Sequence, residues 1–364
     1  MDHEQRREIW MSPKTRFLSG IFGGRVDRPP VGNVVSIATQ ELMEATDAWF
    51  PRAHHDPETM ARLAAGGHEI LGYDTVQPYF SVILEAAALG CEIDWGGPDM
   101  MPASKTHPWT SAEDYHLPSD FLEHPATRGL LNALGILHRE YGNHVAVVGK
   151  AFGPWTLGYE VYGLQEFLIK LILDPDDIKR LLEQLMEITV LFARAQFEAG
   201  ADVVCIPDHV TGSLVSPQTY VEFLLPLHQE LTARIGGPIV LHCCGDTLDR
   251  VGYFVEAGWD CYHIESAVDA RQAKAIVGSR MSLMGNINNP ETLLLGTPED
   301  VRQECIYAWD AGFEILSPEC AVPLQTPNAN LKAIAEVAKE LGPREPVYVG
   351  SGDPSQPPRR LVPG

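Results

Sequence analysis

Apolar residues along the chain fall into two alternating rhythms. Eight short, nearly unbroken apolar runs read as buried strands, at 30–37, 75–80, 144–151, 201–207, 239–244, 261–266, 282–287 and 313–318. Unbroken runs, rather than in–out alternation, belong to strands covered on both faces. Between them apolar positions recur at helical spacing over 59–71, 126–140, 175–199, 217–235, 248–257, 270–276, 298–311 and 327–341. Some starts carry a cap residue followed by Pro, as in Asp56-Pro57 and Asp174-Pro175. Eight strands, each followed by a helix, predict an α/β fold: a single (β/α)8 TIM barrel over 29–342, not a two-domain doubly wound arrangement. Residues 1–28 read as an N-terminal helical extension, with a helix at 13–22. Residues 82–125 break the rhythm at Gly96-Gly97-Pro98 and read as an insertion after strand 2. The Pro- and Gly-rich stretch 343–364 reads as a flexible tail.

Barrels of this kind keep their chemistry at the C-terminal ends of the strands, which filters every polar candidate. The fifth strand ends in Leu241-His242-Cys243-Cys244. Residues two apart on a strand share a face, so His242 and Cys244 project together and Cys243 points away. Glu265 ends the sixth strand, and Cys320 lies just past the eighth. One imidazole, two thiolates and a carboxylate match the tetrahedral preference of Zn²⁺. A lone His-X-Cys is more often an accident, and a free Cys is often a small buried hydrophobe, the reading kept for Cys205, Cys261 and Cys305. The addition of two further donors at strand ends favours metal, because accidents need not obey barrel geometry. Such a centre carries a net charge near −1, a poor setting for making hydroxide. It suits a thiol held as a nucleophilic thiolate, with Glu265 as the replaceable ligand. Asp208, after the fourth strand, reads either as a residue that orients substrate or as a solvated loop acid.

Composition narrows the setting. A formal net charge of −22 argues against nucleic acid, anionic membranes and polyanionic substrates, which favour basic surfaces. The opening MDHEQRREIW has no signal-peptide core, and no apolar run is long enough for a spanning helix. Seven cysteines, an odd number spread through the chain, fit a cytoplasmic protein whose clustered Cys and His serve metal or catalysis rather than disulfides. The oligomeric state stays open, a homo-oligomer included.

These residues also carry a resemblance. Leu241-His242-Cys243-Cys244-Gly245, Ile264-Glu265, Met284-Gly285-Asn286-Ile287 and Ser317-Pro318-Glu319-Cys320 resemble the methylcobamide:coenzyme M methyltransferases of the uroporphyrinogen decarboxylase superfamily. Ala38-Thr39-Gln40-Glu41-Leu42-Met43, Phe50-Pro51-Arg52-Ala53-His54 and Leu84-Glu85-Ala86 extend the likeness through the N-terminal half. The resemblance implies a barrel with zinc on His242, Cys244 and Cys320 and Glu265 as exchangeable fourth ligand. It implies methyl transfer from a methylated corrinoid, carried by a separate corrinoid-binding protein, to a thiol. His54, Tyr79 and Asn286 are then candidates to line the corrinoid's entry. Glu319, His209 and Gln325 depart from the family pattern near the acceptor pocket. Three rival readings remain: a folate-linked enzyme with a methionine synthase-like zinc site, a substrate:corrinoid methyltransferase running the other way, and uroporphyrinogen decarboxylase itself. The decarboxylase would need arginines after the first strand to hold propionates, and 36–44 has none. A non-enzymatic corrinoid- or zinc-binding module would leave the exchangeable ligand without a purpose.

Overall fold

The computed structural model describes residues 10–344. Seven parallel strands curl into one sheet: β1 (Thr75–Val76), β4 (Ala146–Lys150), β5 (Val203–Pro207), β6 (Ile239–Cys243), β7 (Cys261–Ile264), β8 (Ser282–Ile287) and β9 (Ile315–Pro318), in the order β1-β4-β5-β6-β7-β8-β9. A separate antiparallel pair, β2 (Ile93–Asp94) with β3 (Ala103–Ser104), lies in the expected insertion. The eighth stave is the predicted first strand, reduced to a bridge. Val31 pairs in parallel with Leu316. Gly32 N donates to Leu316 O at 3.2 Å, and Asp74 N donates to Val31 O at 2.7 Å. That joins β9 to β1 and closes the (β/α)8 barrel.

The first two predicted strands are cut back furthest, to a bridge and to two residues, for visible reasons. Pro29 and Pro30 offer no N–H, and the Asn33 side chain accepts from Val35 N and Ser36 N, bending the chain away from the ladder. Pro78 ends β1 the same way, since a ladder position needs a donor. Helix 217–235 is interrupted by a π-turn at Tyr220–Leu224, just before Pro226. A Pro there cannot bond back to the preceding turn, and the helix absorbs the mismatch by widening.

Strand parity sorts the interior from the flanks. Ala146, Val148, Val203, Cys205, Val240, Cys261, Met284 and Ile315 fill the barrel. Phe17 and Ile21, on the extension helix Pro13–Ile21, plug its N-terminal end. Arg16 on that helix reaches Asp74 at 2.7 Å, and Arg28 reaches the same carboxylate at 2.9 Å. The open end left for chemistry is the C-terminal one. Of the expected tail, Pro343 and Arg344 are described. Arg344 bridges to Val26 and stacks its guanidinium 3.4 Å from the Trp309 ring centroid; 345–364 and 1–9 lie outside the described residues.

Candidate metal centre

Three donors converge at that open end. His242 Nε2 lies 3.2 Å from Cys244 Sγ and 3.4 Å from Cys320 Sγ, and the two sulfurs are 3.5 Å apart. Bond lengths of about 2.3 Å for Zn–S and about 2.0–2.1 Å for Zn–N give a tetrahedron edges of about 3.8 Å between sulfurs and about 3.5 Å between nitrogen and sulfur. The observed triangle is within about 0.3 Å of both, so the donor set fits the ion. Parity explains two of its corners: Val240 faces the barrel interior, so His242 and Cys244 do too, while Cys243 packs toward the helices.

The surroundings prepare these donors. His242 Nδ1 lies 3.3 Å from the His263 carbonyl, which fixes the proton on that nitrogen and leaves Nε2 free to coordinate. Burial, reinforced by His263, holds the His242 pKa well below the usual imidazole range, so the ring is neutral. The Cys320 thiol and then burial push Cys244 far above an ordinary cysteine. Two sulfurs this close resist ionising together unless a cation sits between them, and a divalent ion reverses that preference. Gly245 shapes the corner beside Cys244. Its φ is +76°, and a Cβ there would meet Thr211 Oγ1 at 2.5 Å.

Glu265 stands next to the triangle without belonging to it. One carboxylate oxygen accepts from Gly245 N at 2.6 Å, and burial, with Glu319 nearby, raises its pKa. Asn286 is also brought to the interior end of β8, where its amide donates to Val268 O at 3.4 Å.

The other expected residues sit elsewhere. Asp208 has the opposite parity to Cys205 and points out of the barrel. Its carboxylate accepts from Thr156 N at 2.7 Å and lies 3.0 Å from His228 Nε2, fully buried. Asp208 is therefore a tether between elements, and its full burial corrects the reading of a solvated loop acid. Tyr79 is likewise packed inside, its hydroxyl bonded to Glu85 and to Leu84 N. His54 is 2% exposed, stacked on Phe50 and tilted against Trp95. Neither ring offers an open surface to a corrin. Glu319 is fully used by Ser266 N at 2.8 Å and Asn289 N at 2.7 Å, His209 is hydrogen-bonded to the Tyr159 hydroxyl, and Gln325 is exposed.

Two buried ionisable groups lie nearby: Lys150, which escaped the sequence reading, and Glu85 of the Leu84-Glu85-Ala86 motif. Lys150, the last residue of β4, donates to Val35 O at 2.8 Å and lies 4.5 Å from the Tyr79 ring centroid. Burial pulls its pKa down to about 8. Glu85 accepts from Phe152 N at 2.9 Å, and burial pushes it up to about 7. Parity with Ala146 and Val148 was the signal that places Lys150 inside.

Known proteins resemble the chain over nearly its whole length. The uroporphyrinogen decarboxylase (URO-D) family profile matches residues 12–341. A methylated-thiol–coenzyme M methyltransferase of Methanosarcina mazei is 32% identical over 334 residues, covering 91% of this chain and 90% of that protein. A methylcobamide:CoM methyltransferase of Methanosarcina barkeri is 32% identical, covering 90% and 97%. The solved structure of a Methanosarcina mazei methyltransferase superposes with a TM-score of 0.87 at 32% identity, over 91% of this chain and 99% of that one. The chain therefore belongs to the uroporphyrinogen decarboxylase superfamily, on its methylcobamide:coenzyme M methyltransferase branch.

Proposed function

We propose that this protein is a methylcobamide:thiol methyltransferase, moving a methyl group from a corrinoid carried by a partner protein to a small thiol of the coenzyme M type. The observation that carries this reading is the triangle of His242 Nε2, Cys244 Sγ and Cys320 Sγ, whose atoms all lie within 4.8 Å of one another. Zinc bound there would supply the Lewis acidity that keeps a thiol, with an ordinary pKa of about 8.5, ionised at neutral pH.

The chain's own residues do the remaining work. His242, neutral and oriented through its other nitrogen, is one donor. Cys244 and Cys320 serve as thiolates, which keep the centre electron-rich and an acceptor sulfur nucleophilic. Glu265, which stands beside the triangle, would offer a bound ion an exchangeable fourth donor and, its pKa raised by burial, would accept the proton of an incoming thiol. In the transfer the acceptor sulfur bonds to the methyl carbon as the carbon–cobalt bond breaks, the electron pair staying on cobalt.

The test is demethylation of methylcobalamin by the purified protein with a panel of thiols, followed by absorbance, beside metal analysis. Stoichiometric zinc and thiol-dependent turnover are expected, both largely lost in Cys320→Ala. Protein from zinc-replete cells that carries no zinc would sink the reading. Turnover with tetrahydrofolate and no thiol would replace it with a folate-linked one.

A further inference from the structure

The third corner of the triangle is the one the barrel itself holds least. His242 lies within β6 and Cys244 directly follows that strand, whereas Cys320 lies beyond Pro318, the end of β9, in a loop. That loop is held by the segment replacing the first strand. Asn33 is fully buried. Its Oδ1 accepts from Val35 N at 2.6 Å and Ser36 N at 2.8 Å, and its Nδ2 donates to the Cys320 carbonyl at 3.0 Å. Both ends of the amide are engaged, which fixes its orientation. The zipper continues outward: Val322 N donates to Ser36 O at 3.0 Å and Gln40 N to Leu324 O at 2.7 Å. From the barrel side, Lys150 Nζ clamps Val35 O at 2.8 Å.

We propose that Asn33 is a positioning residue for the Cys320 ligand, holding its backbone so that Sγ stays on the metal triangle. The inference rests on the metal-centre reading above. A ligand in a loop keeps coordinating geometry only if its supports lock it, and outer-shell hydrogen bonds of this kind typically carry about 10–100-fold in metal affinity.

Asn33→Asp isolates the contact. A carboxylate still accepts from Val35 N and Ser36 N, but it sets an oxygen where the donor to Cys320 O stood. The added negative charge alone would tighten cation binding, so weaker binding reads the lost donor. Zinc affinity by chelator competition, and the thiolate-to-cobalt absorption of the Co²⁺-substituted protein, are measured for wild type, Asn33→Asp, Cys320→Ala and the double variant. Asn33→Asp is expected to bind about 10–100-fold more weakly with an altered cobalt band. In the Cys320→Ala background it should change the residual affinity less than about twofold, because the ligand it positions is gone. Wild-type affinity and spectrum in Asn33→Asp overturn the inference, as does an equal loss in both backgrounds, which would mark a general loosening of the fold. Failure of the wild type to bind either metal would instead overturn the metal centre itself.

Discussion

His54 shows what burial does to a titratable ring in this protein. It stacks on Phe50 at 4.0 Å, and its Nε2 has no hydrogen-bond partner among the described residues. Burial first, then His55 and Lys150, bring its pKa from 6.5 down to about 3. The folded ring stays neutral where the unfolded chain protonates. Below about 6.5 the unfolded state holds the extra proton, so this residue costs stability progressively as pH falls from there toward 3. His54→Phe removes that proton uptake while keeping the stacking surface. Denaturant unfolding of both proteins should show the variant gaining on wild type as pH drops through this window. Parallel pH curves for the two would mean that the ring is protonated in the fold as readily as out of it.

At the scale of elements, Asp208 ties three together. Its carboxylate accepts from Thr156 N and Thr156 Oγ1 in the first turn of helix Pro154–Tyr162, and meets His228 on helix Leu225–Ile235, from the end of β5. Asp208→Ala leaves a buried amide, hydroxyl and imidazole without their acceptor, an expected loss of about 2–5 kcal/mol in denaturant unfolding. A variant of wild-type stability that has lost turnover would return Asp208 to the chemistry. This residue also marks where the sequence stops being legible. Strands announce themselves because both faces are apolar, and parity then places His242, Cys244 and Glu265. Parity carried past Pro207 turns Asp208 outward, but its partners Thr156 and His228 lie 52 and 20 residues away and nothing local announces them. Asn33 was hidden for a related reason: its partner is 287 residues away, and a lone Asn in an apolar run predicts only a bend. The π-turn before Pro226 follows from one missing donor, but whether a helix breaks or widens there depends on its packing.

Across the whole molecule, the donors bridge parts of the barrel far apart in sequence. Cys244 and Cys320 are 76 residues apart, one following β6 and the other following β9, with β7 and β8 between them in the sheet. An ion held by both therefore ties one side of the barrel mouth to the stave that closes it. It would favour the folded chain, since only folding brings Cys320 to His242 and Cys244. At zinc concentrations 100-fold above the dissociation constant this linkage stabilises the fold by about 2.7 kcal/mol. Metal-stripped protein should accordingly melt several degrees below the zinc-loaded form, with the gap growing as the logarithm of free zinc. The same titration on Cys320→Ala should be nearly flat, because two donors on one strand end cannot link the mouth. Apo and loaded wild type melting together, with metal bound by direct analysis, would place the ion somewhere other than between β6 and β9. A zinc-dependent rise retained in Cys320→Ala would point the same way.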